Sequence, residues 1–172
     1  MDPLTPLARR LNERGVRYVV IGVGAANLWA HAGGVVFKTD DRDLFLPPDP
    51  QNLVQAWTAC AEVRFNLWLG DEPLETPRDE WLGEQVIARR ALTRATSPEG
   101  LQVDFTLVMK GYEFETVWSE RRMFVVDEVE IPTARLLHIV TSKHAAGRDK
   151  DRLFLATHRD ALEQLLKKQD VD

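Results

Sequence analysis

Asp41 and Asp43 stand two residues apart, just ahead of the apolar run Leu44-Phe45-Leu46. On a strand such a pair projects from one face with Cα atoms roughly 6.5–7 Å apart. Both carboxylates can then reach one cation or a pair of cations. Magnesium suits this donor set, because it is a hard ion that takes oxygen ligands and keeps waters and substrate phosphates in its shell. Asp104 is the candidate third carboxylate. It lies inside Leu101-Gln102-Val103-Asp104-Phe105-Thr106-Leu107, an apolar strand where an unpaired buried charge would be costly. A metal would remove that cost, and so would an arginine: Arg89, Arg90 and Arg94 are available from the neighbouring predicted strand. Acid pairs at strand starts also occur as solvated or salt-bridged edge residues.

A second group lies immediately upstream. Tyr18 to Ile21 ends in Gly22-Val23-Gly24, and Ala25 to Ala32 follows with strong helix formers. Two glycines let a backbone approach a polyphosphate closely, and a helix starting at Ala25 would aim free N–H groups and a partial positive charge at it. Phosphate and metal sites would then be adjacent.

The ordered set of parts resembles the nucleotidyltransferase superfamily, with its polymerase-β-like core. That family combines a strand, a Gly-Gly or Gly-Ser turn, a short helix, an Asp-x-Asp/Glu strand and a later strand with a third carboxylate. Here the parts are Ile21-Gly22-Val23-Gly24, Ala25 to Ala32, Asp41-Arg42-Asp43 and Val103-Asp104-Phe105. Within the superfamily the chain looks most like the AbiEii-type toxins and related uncharacterised nucleotidyltransferases. Thr39-Asp40-Asp41-Arg42-Asp43 matches their Thr-x-Asp-x-Asp segment, and Lys143-His144-Ala145-Ala146-Gly147-Arg148-Asp149-Lys150-Asp151 matches a later Lys-x-x-Ala…Arg…Lys-Asp segment. The resemblance spans roughly Tyr18 to Leu155.

The resemblance implies in-line attack of a substrate hydroxyl on the α-phosphate of an NTP, with pyrophosphate leaving. Two Mg²⁺ ions about 3.5–4 Å apart serve such displacements. Asp41 and Asp43 would hold both ions, and Asp104 would bind the catalytic ion and help activate the hydroxyl. Lys143 would contact the phosphates, joined by Arg148, while Gly22, Gly24 and Thr39 would line the nucleotide site. The acceptor would be tRNA or a small hydroxylated molecule of antibiotic type, and a toxin would have an antitoxin protein partner.

Three positions depart from the family pattern: the turn is Gly-Val-Gly, Phe37 stands where an arginine is usual, with Lys38 beside it, and Phe154 replaces an acid. They motivate a second function, a regulatory or binding module that keeps the fold without the chemistry. A dinucleotide fold is disfavoured, since Asn27 occupies the third small position of the glycine motif. Lys143 to Arg152 holds four basic residues and two acids, a pattern that also describes a solvated helix face.

These residues need elements to position them. Pro3 to Asn12 reads as an amphipathic helix presenting Leu4, Leu7 and Leu11, stopped near Gly15. Arg42 to Leu46 reads as a strand ended by Pro47-Pro48, followed by a helix from Asp49-Pro50 to about Val63 with Leu53, Val54, Trp57 and Cys60 inward. The spacing predicts a long loop over Asn66 to Trp81, then a hairpin of Gln85–Leu92 and Leu101–Val108 joined by Ser97-Pro98-Glu99-Gly100. Met123 to Ile131 has strand character, and helices are predicted from Ala134 to about Ala146 and from Asp151 to Lys168. Strands and helices without strict alternation indicate an α+β fold, a mixed sheet flanked by helices in one domain over 1–172.

Composition bounds the possibilities. The chain has 172 residues, 44% hydrophobic and 28% charged, with a formal charge of −5. That supports one buried core and weighs against a uniformly basic nucleic-acid surface. The acidity, with no long C-terminal RNA-binding extension, disfavours the tRNA acceptor. Cys60 is the only cysteine, so no disulfide framework or cysteine zinc site can form within the chain, and it is expected to be a buried helix residue. The four histidines lack zinc-ligand spacing. Trp68 and Trp81 bracket the predicted loop and are expected to pack beneath it, the alternative being closure over a base. With no apolar run of about 20 residues and no apolar signal core, a soluble cytoplasmic protein is expected.

Overall fold

The computed structural model describes residues 1–33 and 41–169. Its first elements are helix α1 (Thr5–Glu13), strand β1 (Val19–Ile21), helix α2 (Gly22–Gly33), strand β2 (Asp41–Phe45) and helix α3 (Pro50–Glu62). Strands β3 (Asn66–Leu69) and β4 (Glu72–Pro73), helix α4 (Glu80–Ala88), and strands β5 (Thr93–Thr96) and β6 (Gln102–Thr106) follow. Helix α5 (Phe114–Ser119), strands β7 (Arg122–Val126) and β8 (Val129–Thr133), and helices α6 (Leu136–Ala146), α7 (Asp149–Thr157) and α8 (Arg159–Gln169) complete the order. The strands form one mixed sheet in the order β4-β3-β5-β6-β2-β1-β8-β7. The fold is α+β, as the mixture of patterns predicts.

The first half follows its sequence signals closely. Leu4, Leu7 and Leu11 are buried on α1, and Gly15 beyond its end has φ +68°, a left-handed position that glycine adopts without strain. Asp49 caps α3 by accepting from the Gln51 and Asn52 backbone N–H groups. Leu53, Trp57 and Cys60 are buried beneath it, and burial pushes the Cys60 thiol up, out of its reactive range. Val54 is half-buried.

The middle differs from expectation. The predicted loop over Asn66 to Trp81 contains β3, β4 and the start of α4. The first half of the segment Gln85–Leu92, predicted as a strand, belongs to α4. Helix wins there because Asp79 caps the Leu82 N–H and because Leu82, Gly83 and Val86 are buried at helical spacing. A Cβ on Gly83 would lie 3.1 Å from the Pro50 carbonyl oxygen, so that glycine lets α4 approach the start of α3. The Ser97–Gly100 turn does join a hairpin, but its first strand is β5.

Met123 to Ile131 also resolves into a hairpin, β7–β8, turned by Asp127 and Glu128 at φ +50° and +67°. The C-terminal helical pattern divides into α7 and α8 at His158. Trp68 packs partly into the sheet and donates from Nε1 to Thr96 Oγ1 at 3.0 Å, whereas Trp81 is 64% exposed. Helices α1, α3 and α4 pack together, and α2, α6, α7 and α8 form a second group. No helix among the described residues is long and apolar enough to cross a membrane.

Candidate active site

Strand register brings the acids side by side. Parallel pairing of β2 with β6 sets Asp43 opposite Asp104 and Asp41 opposite Gln102. Antiparallel pairing of β5 with β6 sets Arg94 opposite Asp104. Directly opposed residues share a face, so Asp43, Asp104 and Arg94 form a row across three strands. Asp41 lies on the same face, two residues back along β2. Thr93, the neighbour of Arg94, points the other way and accepts from Trp57 Nε1 at 3.3 Å, which places α3 behind the sheet relative to the acids.

Antiparallel β1 aligns Ile21 with Asp43, and the chain turns directly into α2. The helix begins at Gly22, three residues earlier than the predicted Ala25. Gly22 has φ +70°, and a Cβ there would stand 2.8 Å from Asp43 Oδ2. A Cβ on Gly24 would stand 3.0 Å from Arg42 Cδ. Each glycine therefore makes room for a β2 side chain, Gly22 for the acid and Gly24 for the arginine that reaches Asp2 at 3.2 Å. The start of α2 is thereby pressed against the Asp43 carboxylate, where its free N–H groups carry partial positive charge.

Asp43 is held above the usual carboxylate range. Burial is the main cause, followed by the negative charges of Asp104 and Asp41; Lys150 and Lys143 act in the opposite direction. Asp104 is 7% exposed and is neutralised differently: Arg94 donates from Nε to Oδ1 at 2.8 Å and from Nη2 to Oδ2 at 3.3 Å. With its amide oriented to accept, Gln102 also reaches Arg94 Nε and Nη2, both at 3.2 Å.

Beside the acids lies a basic cluster organised by a buried carboxylate. Asp151 is fully buried and accepts from Arg148 Nε at 2.6 Å, Arg148 Nη2 at 3.2 Å and Lys143 Nζ at 3.4 Å. Burial pushes the Asp151 carboxyl up, but the Arg148 hydrogen bond and the charges of Lys143 and Arg148 pull it below its ordinary value. The Lys143 side chain is only 12% exposed, and its ammonium sits 4.7 Å from the Phe154 ring centroid. Burial lowers its pKa, with Asp151 opposing. Arg148 is the open member, its side chain 61% exposed. Lys143 and Arg148 both interact electrostatically with Asp43, so the two sequence segments meet in one site.

The candidate site residues that lie among the described ones are thus gathered, and two of them already have partners within the chain. Asp104, the candidate third metal ligand, is paired with Arg94 in this structure, since a guanidinium with two hydrogen bonds satisfies a buried carboxylate at close range. Lys143, the candidate phosphate contact, is hydrogen-bonded to Asp151. Asp151 and Phe154 were not among the predicted site residues; the spacing of Arg148 and Asp151, three apart at a helix start, was the available signal. Thr39, with Phe37, Lys38 and Asp40, lies outside the described residues.

Among the described residues no group of three or more His, Cys, Asp or Glu side chains is set to hold a metal ion. Asp41 and Asp43 nevertheless fit a hard divalent cation in part. They offer oxygen donors on one face, and the crowding that raises Asp43 is excess negative charge that a cation relieves. Asp104 joins that donor set only by leaving Arg94. No protein-family model matches the chain, and no curated protein matches it either.

Proposed function

We propose that this chain is a Mg²⁺-dependent nucleotidyltransferase that moves a nucleoside monophosphate from an NTP to a hydroxyl acceptor. The observation that carries this reading is the register of Asp43 against Asp104 across parallel strands, with the start of α2 on one side and the Lys143–Arg148 cluster on the other. Magnesium at Asp41 and Asp43 would neutralise the triphosphate and acidify the acceptor hydroxyl. Arg148 and Lys143 supply positive charge to the phosphates, and the α2 backbone N–H groups donate to a phosphate oxygen. The hydroxyl oxygen attacks the α-phosphorus, the bond to the bridging α–β oxygen breaks and pyrophosphate departs. Asp104, once separated from Arg94, takes the hydroxyl proton.

One observation favours a second reading, a nucleotide-binding or regulatory module without turnover: the third carboxylate is already paired with Arg94. The net charge of −5 favours a small hydroxylated acceptor over tRNA. Service as the toxin of a toxin–antitoxin pair belongs to the tRNA version.

Thermal unfolding with and without NTP and Mg²⁺ tests the binding step. The parent protein should melt higher with both present, and Asp41→Asn with Asp43→Asn should abolish the shift; no shift in the parent sinks the proposal. Labelled nucleotide transferred to any acceptor, and lost in Asp41→Asn, eliminates the module without turnover.

A further inference from the structure

The two edges of the sheet are treated differently. At one edge β4 is two residues long and consists of Glu72 and Pro73, both exposed. A charge, a proline and short length are the usual devices that stop an edge from pairing with another chain. At the other edge β7 is five residues long, with no proline and its one charge, Arg122, at the first position, and it exposes Met123 (42%) and Val125 (68%).

Its backbone is set for pairing. The two-residue turn Asp127-Glu128, with positive φ at both positions, makes Val126 and Val129 the first hydrogen-bonded pair of the hairpin. Alternation then makes Phe124–Ile131 and Arg122–Thr133 hydrogen-bonded pairs, and Val125–Glu130 and Met123–Pro132 non-hydrogen-bonded ones. Pro132 agrees with that assignment, since it has no N–H to give to Met123. The N–H and C=O groups of Met123 and Val125 therefore point away from β8, out of the sheet edge.

We infer that β7 pairs antiparallel with β7 of a second copy of this chain, joining two sheets into one. A two-fold axis at Phe124 sets Met123 of each copy against Val125 of the other in a hydrogen-bonded pair, covering both exposed side chains. The flanking charges choose the second copy as occupant. Arg122 is the first residue of the strand and Asp127 and Glu128 follow its last, so reversal of one copy brings a basic end onto an acidic end at both sides of the axis. Arg122 then lies diagonal to Glu128 of the other copy, while Arg121 keeps its own bond to the Trp118 carbonyl oxygen at 2.8 Å. Asp127 uses Oδ2 for its own bonds to Asp2 N and Thr5 Oγ1, which leaves Oδ1 for the partner. In a parallel arrangement like charges would meet instead.

Sedimentation equilibrium of the full chain over a wide concentration range tests this. The parent should show a monomer–dimer equilibrium that weakens as salt screens the charged ends. Val125→Pro removes an outward N–H without touching the β7–β8 ladder, so it should leave a folded monomer, as judged by circular dichroism. Val125→Lys serves the same purpose should the proline disturb the strand. Arg122→Glu should weaken dimerisation by about tenfold, because an attractive pair becomes a repulsive one on each side of the axis. A parent that stays monomeric at every concentration overturns the inference, and so does a folded Val125→Pro or Val125→Lys that dimerises like the parent.

Discussion

Arg94 and Asp104 face each other across β5 and β6 and join by two hydrogen bonds, of 2.8 and 3.3 Å, on the row that also contains Asp43. The guanidinium occupies the oxygen atoms that a third metal ligand would offer. Arginine cannot lose its proton in this setting, so Asp104 is free for other work only when Arg94 moves aside. The Arg94 side chain is 43% exposed and has solvent to move into. Arg94→Gln should therefore tighten Mn²⁺ binding, read by paramagnetic resonance, by several-fold relative to the parent. Binding in the parent with no gain in Arg94→Gln removes the competition, whereas no binding in either protein removes the metal site itself.

Gly22 supplies a second test, because two constraints coincide there. Its φ of +70° strains any other residue, and a Cβ would press to 2.8 Å from Asp43 Oδ2. Gly22→Ala should cost about 1–2 kcal/mol from the backbone alone, with more from displacing Asp43. Denaturant unfolding should show the loss. A Gly22→Ala protein as stable as the parent would mean that the turn tolerates a side chain and that Asp43 is not held against it.

Much of this site is legible in the sequence because its parts are local. Asp41 and Asp43 share a face through strand alternation alone, Asp49-Pro50 announces α3, and Gly22 marks the turn out of β1. The partner of Asp104 is only half legible. Three arginines stand near it in sequence, and the choice of Arg94 over Arg89 and Arg90 depends on the β5–β6 register, which shifts once Gln85–Ala88 becomes helix. Val86-Ile87 carries strand propensity, and it is overridden by the Asp79 cap and by packing of α4 on α3, a contact made far along the chain. Asp151 was hidden for a related reason. In sequence it sits among charges that look like a solvated face, and only folding buries it between Lys143 and Arg148.

Asp43 ties site electrostatics to stability. Its folded pKa is raised above the ordinary value of about 3.9, by burial first and then by Asp104 and Asp41. The folded protein thus binds the Asp43 proton more tightly than the unfolded chain, and this contribution is complete below pH about 4 and lost as pH rises through the raised value. At neutral pH the ionised carboxylate works against folding. Asp43→Asn should therefore melt higher than the parent near pH 7, with a gain on the order of 1 kcal/mol, the usual size for relieving strain at one position. The gap should close as the pH approaches 4. A mutant less stable than the parent at neutral pH would show that the carboxylate is paid back by partners in the resting fold.

Asp151 has the opposite sign. Its folded pKa is lowered, because the Arg148 hydrogen bond and the charges of Lys143 and Arg148 outweigh the effect of burial. Its contribution is present above the unfolded value of about 3.9 and is lost as pH falls below that value through the lower folded one. Asp151→Asn removes the counter-ion of a lysine whose side chain is only 12% exposed. Breaking a buried pair from one side costs about 3–5 kcal/mol, and Lys143 can limit the loss only by giving up its proton. The mutant should therefore be strongly destabilised at neutral pH and should recover as pH rises toward the lowered Lys143 pKa. Arg148→Gln provides the comparison: it takes from the buried Asp151 carboxylate the hydrogen bond that lowers its pKa most but leaves Lys143 its counter-ion, so it should destabilise less than Asp151→Asn and should not recover as pH rises toward the lowered Lys143 pKa. Equal losses in the two mutants would contradict the assignment of Lys143 as the buried dependent of Asp151.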